Sequence, residues 1–109
     1  MIARIWRGRT SSADADVYLE YVRGTGVEQQ RSVEGNLGSL VLRRFEDETA
    51  EFLVISLWES MGSIKGFAGE RPEAAVYYPE DEKYLLDLEP EVTHYEVPVF
   101  EADSGSRWL

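Results

Sequence analysis

The chain has 109 residues, the length of one domain, and it contains no cysteine. A chain without cysteine has no disulfide framework, no thiolate nucleophile and no cysteine-ligated metal site. Its formal net charge is −10, which argues against a nucleic-acid partner because phosphate recognition requires a basic surface.

No stretch of the chain approaches the roughly 20 apolar residues that cross a bilayer. Residues 1–9 carry three arginines and no apolar run, so they do not resemble a signal peptide. We therefore expect a cytoplasmic protein with no membrane partner.

The first predicted element is a strand over residues 2–9, and a helix is predicted to begin at Ser11 or Ser12. Serine is a favoured N-cap, and the aspartates that follow it suit the positive end of the helix dipole. The helix is predicted to weaken or end at Gly24 and Gly26, because glycine is a poor helix former and is common at helix C-termini.

Two further strands are predicted to form a hairpin. A Gly-Asn turn signal precedes the strand over residues 37–45, and an acidic turn leads into the strand over 51–57. The strand over 51–57 has apolar residues on both faces, so it must be covered from both sides. Trp58 ends this strand, and Ser60 is expected to cap a second helix whose apolar stripe includes Phe67.

The chain after the second helix is less regular. Pro72 and Pro79 are predicted to begin short helices, because proline suits the first helical turn, and the second of these helices is predicted to end at Pro90. The last strand is predicted over residues 91–100. It must end or lie at a sheet edge at Pro98, which has no N–H to donate.

This order of elements is β-α-β-β-α-β with an extra helix before the last strand, which predicts an α+β ferredoxin-like domain with an antiparallel four-stranded sheet. We assign the domain to residues 1–101 and a polar C-terminal tail to 102–109. Both helices pack on one face of such a sheet, so its other, apolar face is left open. A homodimer that pairs the two sheets would cover that face.

The passage from the third strand to the second helix resembles a known family. The W-x-S-x3-I-x2-F signature of the antibiotic biosynthesis monooxygenase family is matched by Trp58, Ser60, Ile64 and Phe67. The resemblance covers roughly residues 1–101 and implies the dimeric α+β barrel fold. That fold hosts oxygenases, haem degraders and lactone isomerases, so the resemblance specifies fold more than activity.

The haem-degrading branch of this family uses an asparagine on the first strand, a tryptophan at the end of the third strand and a histidine after the second helix. Trp58 matches the tryptophan. The first strand offers Ile5, Trp6 or Arg7 in place of the asparagine, and the segment 72–78 contains no histidine. We therefore expect no haem, or other cofactor, and no haem degradation by that mechanism.

Three residues are candidates for the chemistry of such an enzyme. His94, the one histidine, could take a proton from an acidic phenol or enol, or it could be a structural residue near the dimer interface. Trp58 could form the wall of an aromatic pocket or plug the sheet end in the core. Arg4 and Arg7 point to opposite faces of the first strand, so one of them borders the cavity. Arg7 is the candidate donor to an anionic substrate, with a structural ion pair as its alternative.

Aromatic side chains are the candidates for substrate binding: Tyr18, Tyr21, Phe67 and Tyr77. Tyrosines bury well and can hydrogen-bond a polar ligand group, although tyrosines at helical spacing are also typical core residues. The acidic run at residues 80–82 lacks the spacing and the glycine of a calcium loop and suits the start of a helix, so we predict no metal site.

The resemblance implies a cofactor-independent monooxygenase that oxidises a small aromatic, phenol- or quinol-type substrate with O2. In such chemistry the deprotonated substrate gives an electron to O2 itself, and the protein supplies a dry aromatic pocket, a base and a donor to the developing charge. The alternative is a non-catalytic dimeric module that binds a small hydrophobic or aromatic ligand. A haem-associated activity is the third hypothesis.

Overall fold

The computed structural model describes residues 1–103, so most of the predicted C-terminal tail lies outside the described residues. Four strands form one antiparallel sheet in the order β2-β3-β1-β4. They are β1 (Ile2–Ser11), β2 (Asn36–Glu46), β3 (Thr49–Trp58) and β4 (Thr93–Glu96). The helices pack on one face of this sheet, which confirms the predicted α+β ferredoxin-like fold.

The first helical region is longer than predicted. A 3₁₀ turn leads into α1 (Ala15–Val22), a π-helical turn follows over Arg23–Val27, and α2 (Glu28–Ser32) continues the chain. Gly24 and Gly26 lie within the π turn, so they interrupt the α-helical hydrogen bonding without ending the helix. Of the two outcomes predicted at these glycines, the helix is weakened and does not end.

The second predicted helix agrees with α3 (Met61–Ala68), which the Ser60 hydroxyl caps by accepting a hydrogen bond from the backbone N–H of Ser63 at 3.2 Å. Of the two later helices, the one predicted to begin at Pro72 does not form, and the one predicted to run from Pro79 to Pro90 is shorter than predicted. Pro72 lies in a turn, and α4 (Asp81–Tyr84) has four residues. The chain leaves α4 in an extended conformation, because Leu85 forms a bridge to β1 rather than another helical turn.

The last strand is shorter than the predicted span of residues 91–100. β4 pairs with β1 from Thr93 to Glu96 and ends before Pro98, as the missing proline N–H requires. This pairing places β1 between β3 and β4, in the middle of the sheet.

Alternation along the strands assigns each side chain to one face of the sheet. Trp6 of β1 lies opposite Val54 of β3 on the face that the helices cover, and Ile5 lies opposite Ile55 on the other face. The core forms on the covered face. There Tyr18 of α1 meets Phe52 edge-on, with 5.2 Å between the ring centroids.

The other face of the sheet is not covered within the described part of the chain. The register places these apolar residues on it: Ala3, Ile5, Leu40, Leu42, Leu53, Ile55, Leu57 and Tyr95. Leu42 is 44% exposed and Tyr95 is 57% exposed. Continuous apolar surface of this kind is uncommon on a monomer and typical of a surface that contacts a partner.

Gly35, in the turn before β2, has a positive φ of 93° and accepts a hydrogen bond from the Glu59 N–H. A Cβ at this position would lie 2.6 Å from the Cβ of Ser63. We expect Gly35→Ala to lower the free energy of unfolding by roughly 1–3 kcal/mol, through backbone strain and the clash with α3. Urea unfolding measures this, with Gly24→Ala as control because no atom lies within 4 Å of the Cβ it adds. Equal stability of the two variants would contradict the backbone strain and the clash expected at Gly35.

Candidate functional site

A cavity lies between the covered face of the sheet and the helices, and it is partly open to solvent. Its space for water-sized molecules is about 40 Å³, which is room for about three waters and for no ring system. Pockets that hold drug-sized ligands measure roughly 300–1,000 Å³, so a larger ligand enters only if the walls move. The aromatic lining residues are Trp6, Tyr18, Phe67, Tyr77 and Tyr78.

Arg4 is the charged residue that β1 contributes to the cavity. It is 2% exposed, its Nη2 donates to the Ala74 carbonyl at 2.7 Å, and its guanidinium lies 5.2 Å from the centre of the Phe67 ring. Burial lowers the pKa of Arg4 from 12.5 to about 10, so the side chain remains a cation at neutral pH. Within residues 1–103 it forms no ion pair with a carboxylate.

Three polar atoms at the cavity are buried without a hydrogen-bond partner in the described part of the chain. They are the Arg4 Nε, the Gln30 Oε1 and the Tyr78 hydroxyl, and all three residues line the cavity. Buried polar groups are almost always hydrogen-bonded, because an unpaired one costs roughly 1–3 kcal/mol. The three atoms belong to side chains that border the same cavity, which makes this cavity the candidate functional site.

Asp81 brings a buried carboxylate to the cavity, but both of its oxygens are occupied. Oδ1 accepts from the Tyr18 hydroxyl at 2.8 Å and Oδ2 accepts from the Tyr78 N–H at 2.6 Å. Burial and this carboxylate raise the pKa of Tyr18, which therefore stays a neutral phenol. Asp81 thus holds α1 and the segment before α4 together, which is a structural role.

Tyr77 forms a fixed part of the wall. Its hydroxyl accepts from the Trp6 Nε1–H at 3.2 Å and donates to the Glu89 carbonyl at 2.5 Å, and the Trp6 and Tyr77 rings meet edge-on. The predicted binding residues Tyr18, Phe67 and Tyr77 all line the cavity. Tyr21 is not among the lining residues, since its hydroxyl accepts from the Glu80 N–H at 2.9 Å and supports the start of α4.

His94 lies opposite Arg4 in the pairing of β4 with β1, beside the cavity and outside the residues that line it. Its Nε2 is buried and has no partner among residues 1–103. Burial, and then the neighbouring Arg4 charge, lower the pKa of His94 below 6.5, so the imidazole is neutral at pH 7. Its role as a base remains a prediction.

Trp58 is completely buried, and its Nε1 donates to the Ser56 hydroxyl at 2.8 Å. Its ring stacks on Phe67 with 6.0 Å between the centroids, and Phe67 is the ring that faces the cavity. Trp58 therefore supports the cavity wall from behind. Of the two roles that the sequence allows, the structure places it in the core at the sheet end.

Arg7 lies on the other face of the sheet, away from the cavity. It binds Glu51 there, with 2.5 Å between Nε and the carboxylate, and its side chain is 52% exposed. This is the ion pair that the sequence offered as the alternative to a catalytic Arg7. Arg4 is the arginine of β1 that borders the cavity. Arg4 therefore replaces Arg7 as the candidate donor to an anionic substrate.

Sequence reasoning missed Gln30 and did not select Arg4 or Tyr78. Arg4 and Trp6 could have been found together, because they alternate on one face of the first strand. Gln30 could not have been found, because Gly24 and Gly26 were predicted to weaken or end the helix before it.

No protein-family model matches the chain, and no curated protein matches its sequence. Solved structures do match its fold. A Bacillus cereus protein assigned as an antibiotic biosynthesis monooxygenase superposes with a TM-score of 0.65 at 16% identity, over 94% of this chain and 97% of the other. At this sequence identity the similarity shows a shared fold. It therefore confirms the fold that the sequence resemblance implied.

Two structures of MhuD also match, each over 94% of this chain and 100% of the other. A variant with two manganese protoporphyrin IX molecules per active site has a TM-score of 0.60 at 19% identity. The haem degrader from Mycobacterium tuberculosis with two haems in its active site has a TM-score of 0.58 at 20% identity.

The cavity of the present chain does not fit a haem group. Its lining contains no histidine to ligate the iron. Residues 1–103 also contain no group of three or more side chains placed to hold a metal ion. None of the helices in the same range has the length and apolar character that a membrane crossing requires.

The single histidine provides a direct probe of the Arg4 charge. We expect Arg4→Met to raise the pKa of His94 toward 6.5, because one of the causes that lower it is removed while burial persists. NMR titration of the imidazole measures this, with Arg7→Met, on the opposite face, as the matched control. In the wild type the unfolded chain binds the proton more readily than the folded one, so stability should fall as the pH drops below about 6.5. An identical His94 titration in both variants would show that Arg4 does not act on it.

Proposed function

We propose that the chain is a monooxygenase that oxidises a small phenol- or quinol-type compound with O2 in this cavity, whose walls move apart to admit the ring. The observation that carries the proposal is Arg4, a buried cation without a carboxylate partner in the described residues, at an aromatic-lined cavity. A buried charge is expensive unless something compensates it. An ionised phenol or enol supplies the missing negative charge and a flat ring that suits the aromatic walls.

The proposed chemistry needs no electron source besides the substrate. Deprotonation gives an electron-rich anion, which passes an electron to O2, and recombination gives a hydroperoxide that loses water. For a quinol, the balanced reaction takes the quinol and O2 to a hydroxyquinone and water. One oxygen atom of O2 enters the product and the other leaves as water.

Residues that line the cavity and residues beside it each have a role in this proposal. Arg4 stabilises the anion that forms on deprotonation, which lowers the barrier because the donor is already in position. His94 is the proposed base, since its lowered pKa keeps the imidazole neutral at pH 7 and its Nε2 is free within the described range. Phe67 forms the wall, and Trp58 behind it holds that wall in place.

The second candidate function is binding without turnover. The observation that favours it is the lining itself, in which Asp81 has both oxygens engaged and His94 is absent. On this alternative, Arg4 and the aromatic walls hold a small aromatic anion and nothing removes a proton from it.

We also propose that the protein is a homodimer joined through the open sheet face. The expected mass in light scattering is about twice the 12.4 kDa of one chain. Leu42→Glu, which puts a charge on the open face, should shift the protein toward the monomer because burying an unpaired charge is costly. Phe45→Glu is the matched control, since Phe45 is also exposed on β2 but faces the helix side. A wild-type monomer at micromolar concentration would refute the dimer.

The oxygenase proposal predicts oxygen uptake without added metal or flavin. Anthrone-like and hydroquinone substrates are incubated with metal-free protein under air while dissolved oxygen and the products are followed. We expect His94→Ala to lower kcat about 10²–10⁴-fold if it is the base. We expect Arg4→Met to lower kcat about 10²–10³-fold, by loss of the donor to the anion.

Three further variants complete this experiment. Trp58→Phe should weaken the wall and lower the rate less than the loss of either polar group. Arg23→Met is the charge control, because Arg23 is exposed on the π turn away from the sheet. Binding of these compounds without any oxygen uptake would favour the second candidate. Full activity of a folded His94→Ala protein would remove His94 from the reaction.

A further inference from the structure

The walls of the cavity differ in how firmly the fold holds them. Trp6 and Val54 belong to strands β1 and β3, which pair along their whole length. Tyr18 of α1 is part of the buried core, and Phe67 of α3 stacks on a buried tryptophan. The remaining wall comes from residues 78–84, which contain α4 and contribute two of the lining side chains. We call these residues the strap.

Main-chain hydrogen bonds fix the chain on both sides of the strap. Before it, the Ala75 N–H donates to the Pro90 carbonyl at 3.0 Å. After it, the Leu86 N–H donates to the Arg9 carbonyl at 2.9 Å. Within residues 1–103, the main-chain bonds of the strap itself are local, and none of them reaches the sheet. The strap can therefore turn about its two ends without breaking a strand pairing.

Two tyrosine hydroxyls of α1 hold the strap against the helices. The Tyr18 hydroxyl donates to the Asp81 carboxylate at 2.8 Å, and the Tyr21 hydroxyl accepts from the Glu80 N–H at 2.9 Å. Asp81 is the one fully buried residue among residues 78–84, and it is polar. A segment with few buried apolar contacts is among the first to open in a native protein. The strap is therefore the wall that needs the least to move.

The closed strap leaves one of its own polar groups unpaired. The Tyr78 hydroxyl is buried without a hydrogen-bond partner in residues 1–103, and the ring lies beside Gly26 of the π turn. A buried hydroxyl without a partner destabilises the closed state, and outward movement of the strap returns it to water. The withdrawn phenol ring then leaves a space the size of one aromatic ring.

We propose that residues 78–84 swing away from the π turn to admit a ring to the cavity, with the Tyr18–Asp81 hydrogen bond as the latch. The inference rests on the proposed function for the ring that enters, but the movement is measured without a substrate. It gives two tyrosines opposite effects on access. The Tyr18 hydroxyl holds the strap closed, and the Tyr78 hydroxyl favours its opening.

The absence of cysteine from the chain allows a single introduced thiol to report the opening. Val54→Cys places this thiol in the wall of the cavity, at a buried position. Its reaction with a nitrobenzoate disulfide, which carries an aromatic ring, follows the population of open protein when closing is fast. The rate is measured in buffer and in urea below the unfolding transition, because local opening exposes little surface and depends only weakly on urea.

Three tyrosine-to-phenylalanine substitutions in the Val54→Cys protein test the latch. Tyr18→Phe should speed labelling roughly 10- to 100-fold, because the bond to the buried Asp81 carboxylate is lost. Tyr78→Phe should slow labelling roughly 10-fold, because the closed strap no longer buries an unpaired hydroxyl. Tyr84→Phe is the matched control and should leave the rate unchanged. Tyr84 lies in the strap, and its hydroxyl forms no hydrogen bond within residues 1–103.

Amide hydrogen exchange of the wild-type protein locates the moving wall without any substitution. The amides of Tyr78, Asp81 and Lys83 are hydrogen-bonded within the strap, so they should exchange together. They should exchange faster than the amides of Ala75 and Leu86, whose main-chain bonds flank the strap. This measurement tests the inference even if a variant fails to fold.

Three outcomes would overturn the inference. An unchanged labelling rate in folded Tyr18→Phe would show that its hydroxyl is not a latch. Faster exchange in α3 than in residues 78–84 would assign the movement to another wall. Labelling only in urea that unfolds the whole chain would show that the strap does not open by itself.

The oxygenase proposal is decided separately, by oxygen uptake. The expected order of labelling rates without oxygen uptake on any substrate supports the strap and refutes the oxygenase. Oxygen uptake by a protein whose strap fails these tests overturns the inference and leaves the oxygenase standing.

Discussion

The pairing of β1 on both of its edges is the constraint on which the rest of the structure depends. Because β3 and β4 hold it from the two sides, β1 cannot slip or turn, and each of its side chains is committed to one face. Arg4 and Trp6 are thereby directed under the helices, and Ile5 and Arg7 to the open face. A shift of one residue would place Arg7 under the helices and Trp6 on the open face of the sheet.

This register of β1 places the Arg4 cation in a buried position where few groups of the protein stabilise its charge. The Arg4 guanidinium has one carbonyl partner and the face of the Phe67 ring, and its Nε remains unpaired within the described residues. Nothing in the packing of the core requires an arginine at this position, and an apolar residue would avoid the cost of desolvation. Natural sequences break local rules mostly at functional sites, which is why both candidate functions of this cavity rest on Arg4.

The π turn connects the fold to the cavity in a second way. It widens the helical path over Arg23–Val27, and Thr25 and Gly26 of this turn line the cavity. The Thr25 hydroxyl donates to the Tyr21 carbonyl at 2.7 Å and so satisfies an acceptor there. The chain then continues into α2, which brings Gln30 to the cavity. Such turns within helices are frequent at functional sites.

The sequence by itself determined the elements of the fold: the period-two alternation of β1 and β3, the Ser60 cap and the uncovered apolar face are all local patterns. It also showed that one of Arg4 and Arg7 borders the cavity, without showing which. Only the tertiary structure decided that, because the face that the helices cover depends on how they pack on the sheet. The same holds for Gln30, Tyr78 and Trp58. Whether a side chain lines a cavity or supports one from behind depends on neighbours distant in the chain, and no local periodicity records them.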